Sequence, residues 1–176
     1  MSLADTELLT EVALERVIRR LEEAWCPPPV PEVDSYGYRP LPLPVLLAGI
    51  DTLRKLELPL KTPIHDLGCG LGRTLLCLWA FGYTNLTGTE CMPQFAAVAR
   101  GMVPIAVIHE GDVATADISG AQVVYAYRPF KNSRLAELFA DWLVNRTRPG
   151  QYLWLPQVDP IWGCEHVGGY VYRRAD

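Results

Sequence analysis

The sequence predicts a three-layer α/β fold: a mostly parallel sheet covered by helices, with a helical extension ahead of it. Two observations carry this. From residue 62 onward, short apolar runs alternate with stretches of helical period. Between the first run and the first helix lies a turn built on alternate glycines, in "IHDLGCGLG" at 64–72.

Residues 5–25 read as an amphipathic helix, with Leu8, Val12, Leu14, Val17, Ile18 and Leu21 at helical spacing. Its acids come early (Asp5, Glu7, Glu11) and Arg19 and Arg20 late, as the helix dipole favours. The stretch 26–44 holds seven of the 15 prolines and is expected to be an extended connector. A second helix is expected over 44–57, with Pro44 in its first turn. Strands then follow at 63–67, 85–90, 105–110, 121–127 and 151–156, with helices at 72–81, 93–100 and 132–145 between them. A last strand is expected at 168–174, and Glu165 and His166 are read as part of a loop before it. The expected division is 1–60 as helices and connector packed on the core, and 61–176 as the core itself.

Composition excludes several classes. At 176 residues, with 49% hydrophobic and 20% charged, the chain suits one globular core. No apolar run approaches the roughly 20 residues of a membrane span. The first residues, "MSLADTELLT", lack the pattern of a signal peptide. Five cysteines without a CxxC pair read as reduced thiols, so a cytoplasmic protein is expected. A net charge of −4 argues against nucleic acid as partner.

The glycine turn falls where a strand ends and a helix begins, the place where open parallel sheets bind ligands. Gly68 and Gly70 permit positive φ and a close approach of ligand to backbone. Glu90 ends the next strand, about 20 residues on, and is placed for ribose hydroxyls. Asp112 follows the third strand. Three strands thus each bring a carboxylate (Asp66, Glu90, Asp112) to one rim, which points to an adenosine-containing cofactor. Arg73 stands where a nicotinamide fingerprint needs glycine, and Asp66 would repel a pyrophosphate. A ligand with an ammonium or sulfonium group fits better. No GxxxxGK[ST] is present, so a P-loop is excluded.

These residues resemble the class I S-adenosylmethionine-dependent methyltransferases. Asp66-x-Gly68-x-Gly70-x-Gly72 is similar to their first motif, "LTGTE" to the second and "EGDV" to the third. The resemblance spans roughly 60–156 and implies a Rossmann-like, seven-stranded sheet with one antiparallel edge strand. It implies S-adenosyl-L-methionine as cofactor, with Glu90 on the ribose and Gly111, Asp112 and Val113 at the adenine. Leu67, Cys69, Cys91 and Met92 are implied to line the cofactor. There are two departures. The family's helix and long hairpin near the C-terminus are missing or shrunken here. The fourth strand ends in "YRPF", which keeps only half of the motif of base and glutamine N-methylases.

Tyr127 and Arg128 are the candidate catalytic residues: Tyr127 to orient or deprotonate the acceptor, Arg128 to bind an acidic group on it. His65 precedes Asp66 in a strand and so faces the other way, as a core histidine. Cys164 and His166 are too few for a metal site, and none is expected. The set Arg128, Lys131, Arg134, Arg146 and Arg148, diluted by Glu137 and Asp141, reads as a solvated face. In the connector, Tyr36, Tyr38 and Arg39 are candidates for a lid over substrate, or for pinning the connector onto the sheet.

The expected activity is therefore methyl transfer to an acceptor that is a small molecule or an exposed side chain. The alternatives are a non-catalytic module or partner subunit that binds the same cofactor, and, disfavoured by Arg73, a nicotinamide oxidoreductase. Oligomeric state is not legible.

Overall fold

Each short apolar run becomes a strand of one sheet in the computed structural model, which describes residues 3–25, 38–128, 130, 133–156, 158 and 161–176. The elements are α1 (Leu3–Trp25), α2 (Leu43–Lys55), β1 (Ile64–Leu67), α3 (Arg73–Ala80), β2 (Leu86–Glu90), α4 (Pro93–Met102) and β3 (Val107–Glu110). A 3-10 turn (Val113–Thr115), β4 (Val123–Ala126), α5 (Ser133–Arg146), β5 (Tyr152–Trp154), β6 (Cys164–Gly168) and β7 (Val171–Arg174) complete the chain. No helix among the described residues is long and apolar enough to cross a membrane.

The strands lie in the order β3-β2-β1-β4-β5-β7-β6. The first five run parallel, and β7 runs antiparallel to β5. This is the expected mostly parallel sheet with an antiparallel departure at one edge. The outermost strand there is β6, hairpinned onto β7. Glu165 and His166, expected in a loop, thus lie in a strand. That strand carries both of them exposed on a sheet edge, where one side needs no apolar pattern.

Alternation along the strands divides the core into two apolar layers. Ile64, Leu86, Val123, Tyr125 and Trp154 face α1 to α4, packing on Ile18, Leu46, Ile50, Leu75 and Phe95. Leu67, Val124 and Leu153 face the other way, onto Phe139 and Leu143 of α5 and onto Val113. α2 comes unusually close to β5: a Cβ on Gly49 would fall 2.1 Å from the Trp154 indole. No helix is formed among the described residues of the 155–163 connection, while the β6–β7 hairpin after it is present.

Candidate functional site

The sheet order reverses between β1 and β4, so the carboxyl ends of these strands leave a crevice above them. The glycine turn forms its floor. Gly68, Gly70 and Gly72 all have positive φ (77°, 55° and 87°), which turns the chain from β1 into α3 within five residues. Gly68 and Cys69 still donate to the Thr89 carbonyl at 2.8 and 3.1 Å, so the turn stays stitched to β2. The turn leaves an open cleft of about 110 Å³ above it.

Asp66 and Glu90 enter this cleft from neighbouring strands on one face. Both carboxylate oxygens of Glu90 accept a backbone N–H. One carboxylate oxygen accepts the Gly70 N–H at 2.9 Å, the other accepts the Met92 N–H at 2.9 Å. Glu90 thereby ties the glycine turn to the start of α4 while its remaining lone pairs face the cleft. Asp66 is in the opposite condition. It is 1% exposed, and its Oδ1 has no hydrogen-bond partner. Burial first, and then the negative charge of Glu90, hold its carboxyl well above the usual carboxylate range. An unpartnered buried carboxylate aimed at a cavity is suited to a cationic ligand group.

Beside Asp66 in register stands Tyr125 of β4, buried, hydrogen-bonded to Thr74 and set edge-on to Trp154 at 4.7 Å. Two positions along β4's direction lies Tyr127, half-buried, and then Arg128, both lining the cleft. Cys69 and Cys91 also line it. Burial pushes both thiols up, with Asp66 and Glu90 adding to it at Cys69 and Glu90 at Cys91, which disfavours the thiolate form of each.

The N-terminal region covers one side. A Cβ on Gly70 would meet the Tyr38 ring at 3.0 Å, so this glycine is what lets the ring lie on the turn. Tyr38 also packs edge-on to Phe95, and its hydroxyl donates to Glu22 of α1. Glu22 and Glu15 of α1 both grip the buried Arg73 guanidinium, each at 3.0 Å. Tyr38 therefore both pins the connector and lines the cleft, and Arg39 lines it too. Tyr36 lies outside the described residues.

The structure thus brings Asp66, Gly68, Cys69, Gly70, Glu90, Cys91, Met92, Tyr127 and Arg128 together with Tyr38 and Arg39. It does not bring five others into the cleft. Leu67 follows Asp66 by one residue and so points to the α5 layer. Gly72 faces α4, where a Cβ would meet Ala99 at 3.2 Å, so it serves helix packing. Asp112 caps the 3-10 turn by accepting the Ala114 N–H at 2.9 Å, Val113 is buried in the α5 layer, and Gly111 lies outside the lining. The sequence reading missed Arg73, Thr74, Phe95 and Tyr125. The period of two from Tyr127 was the available signal for Tyr125.

Two bland readings are found in place. His65 is buried and held by the hydroxyls of Thr87 and Thr89, each at 2.9 Å. Burial, then the neighbouring His109, lower its pKa to about 4. Arg146 and Arg148 are spent on the carbonyls of Ala116 and Ser119 at 3.2 and 2.6 Å. Among the described residues no cluster of His, Cys, Asp or Glu is arranged to hold a metal.

No family model matches the chain, and no curated protein sequence does. Solved structures do match in fold. An RNA methyltransferase from Salinibacter ruber, in complex with S-adenosyl-L-homocysteine, is 23% identical, with 77% of this chain and 92% of that one covered at a TM-score of 0.55. An S-adenosylmethionine-bound amino pentose methyltransferase from Micromonospora echinaspora, involved in calicheamicin biosynthesis, is also 23% identical. There 62% of this chain is covered, but only 48% of the other, at a TM-score of 0.51. The fold is that of the class I S-adenosylmethionine-dependent methyltransferases.

Proposed function

We propose that this protein is an S-adenosyl-L-methionine-dependent methyltransferase whose acceptor is a small molecule or an exposed side chain. The observation that carries the proposal is the pairing, on one rim, of an unsatisfied carboxylate and a satisfied one. Asp66 lacks a partner that a cationic ligand end would supply, and Glu90 offers spare acceptor capacity about where ribose hydroxyls are held in such folds. The glycine turn between them leaves the backbone bare for close approach. The residues present fit the cofactor.

When bound, S-adenosylmethionine supplies a methyl group on a positively charged sulfur. The chain's own task is placement: to hold the acceptor's lone pair in line with that carbon and keep water out. Tyr127, at the end of β4, orients the acceptor. Tyr38 covers the glycine turn. The acceptor's proton would leave to solvent, and the bound cofactor would supply the sulfur as leaving group for the carbon–sulfur bond that breaks. The solved relatives in fold act on RNA and on an amino pentose according to their names, so fold alone selects no acceptor.

Calorimetry tests the proposal. S-adenosylhomocysteine should bind saturably and raise the melting temperature, and NAD should do neither. A screen with methyl-labelled cofactor against metabolites, peptides and RNA should then show transfer. No saturable heat with either adenosyl compound would remove the reading; binding without transfer to any acceptor class would favour a non-catalytic binding module.

A further inference from the structure

Arg128 follows β4 with a φ of 46°, in the left-handed region that arginine rarely adopts. Pro129 comes next in the sequence, and a proline confines the residue before it to extended conformations. The conformation is thus disfavoured twice. Among the described residues, Glu57 and Tyr170 are the other non-glycine residues with positive φ. Both have local reasons: Glu57 ends the turn that closes α2, and Tyr170 sits in the β6–β7 hairpin. Arg128 has neither. It stands at the carboxyl end of a central parallel strand, beside the point where the sheet order reverses. Strain at such a place persists where the surroundings make use of the side chain.

That side chain brings a positive charge to a cleft whose lining also includes Arg39 and Arg73. The guanidinium is exposed, 5.8 Å from the centre of the Tyr127 ring, and among the described residues no carboxylate pairs with it. Arg73, also in the lining, is committed to Glu15 and Glu22. The acids Asp66 and Glu90 end β1 and β2 and Arg128 follows β4, so the cleft is lined by acidic and basic groups from different strands. A flat guanidinium steadied by an aromatic ring is built to take a carboxylate or phosphate through two parallel hydrogen bonds. Arg39 lines the cleft as well, and with Arg146 and Arg148 tied to backbone carbonyls the positive charge there is local, which suits a small anion better than a nucleic-acid strand.

We infer that the acceptor is a small molecule bearing a carboxylate or phosphate, and that Arg128 selects it by holding that anion while the nucleophile faces the methyl carbon. This rests on the methyltransferase reading above. The test compares wild type with Arg128→Gly and Arg128→Gln, both saturated with S-adenosylhomocysteine and titrated with inorganic phosphate and with succinate by NMR. Wild type should bind at least one anion saturably, and both variants should lose about tenfold or more in that affinity. S-adenosylhomocysteine affinity should stay unchanged in the variants. Arg128→Gly should also melt higher than wild type, because glycine accepts the backbone that arginine strains.

Three outcomes overturn the inference. If the variants bind phosphate and succinate as wild type does, or wild type binds neither, Arg128 selects no anion. If the variants lose S-adenosylhomocysteine affinity, Arg128 serves the cofactor's own carboxylate. If a mixed RNA oligonucleotide binds and its affinity depends on Arg128 while the small anions do not bind, the acceptor is a nucleic acid. Failure of S-adenosylhomocysteine to bind wild type at all removes the methyltransferase reading and this one with it, and is distinguishable from each of the three.

Discussion

Arg73 and Asp66 flank the same glycine turn and are both buried, with 8% of the Arg73 side chain exposed and 1% of Asp66. Arg73 is met by two carboxylates from α1, Glu15 and Glu22, each within 3.0 Å. Asp66 is met by nothing at Oδ1, and the charge it feels most is another carboxylate, Glu90. One charge holds the molecule together; ionising the other group costs it stability. Buried charge is tolerated in folded proteins when it is paired, and where it is unpaired it marks a place that waits for a partner.

The contrast predicts opposite responses to neutralisation. Arg73→Met should destabilise the protein by about 3 kcal/mol in urea unfolding, the value for breaking a buried pair reduced because Glu15 is 42% exposed. It should also make α1 easier for a protease to release. Wild-type stability in this variant would mean that the two acids do not hold α1, and the contrast would collapse.

His65, one residue before Asp66, shows a titratable group buried with both ring nitrogens engaged. Its pKa is lowered to about 4, chiefly by burial. A lowered histidine pKa gives stability that is present above the unfolded value of 6.5 and lost as pH falls toward 4. The loss between pH 6.5 and 4.5 should be about 2 kcal/mol. His65→Gln should remove that part of the acid slope; identical slopes in the two proteins would show that His65 is not buried neutral.

Asp66→Asn acts with the other sign. A raised carboxyl pKa favours the protonated fold, so this group's contribution is present below the unfolded carboxylate pKa and lost as pH rises through the folded one. At neutral pH the asparagine variant should therefore be more stable than wild type in urea unfolding. It should bind S-adenosylmethionine about 10–100-fold more weakly. In wild type, affinity should rise with pH as the carboxyl ionises to meet a cation, and calorimetry in buffers of different ionisation enthalpy should detect a released proton. Loss of stability in Asp66→Asn, with affinity intact, would make Asp66 a structural residue.

These differences also explain what was legible in the sequence. The strands of the parallel core and the helices between them follow from alternation and helical period, which are local patterns. The cleft floor was legible for the same reason: Asp66, Gly68, Gly70 and Glu90 sit at ends of apolar runs. Asp112 has the same local signature as Glu90, yet it caps a 3-10 turn through the Ala114 N–H two residues on and lies outside the cleft lining. Strand ends alone do not say whether an acid caps a turn or faces a cavity. Arg73 was seen only as a residue that spoils a glycine pattern, because its partners lie 51 and 58 residues away in sequence. β6 was missed because an edge strand carries little apolar pattern. Contacts made across the fold were illegible where contacts made along the chain were not.

Tyr38 joins the two buried charges, and substitutions there should have the smallest effect. Its hydroxyl donates to Glu22, the acid that also holds Arg73, while its ring lies on Gly70 and against Phe95. Hydroxyl and ring therefore do separable things. Tyr38→Phe deletes one partly buried hydrogen bond and should cost about 0.5–1 kcal/mol, with S-adenosylhomocysteine affinity unchanged. Tyr38→Ala also removes the ring and opens the glycine turn to water, so it should lose affinity as well as stability. A lid made by the ring predicts that split between the two variants. If Tyr38→Phe weakens S-adenosylhomocysteine as much as Tyr38→Ala does, the hydroxyl meets the ligand and its bond to Glu22 is given up on binding. If neither variant changes affinity while both melt lower, Tyr38 only fastens α1 and the connector to the core, and the cleft is covered by something else.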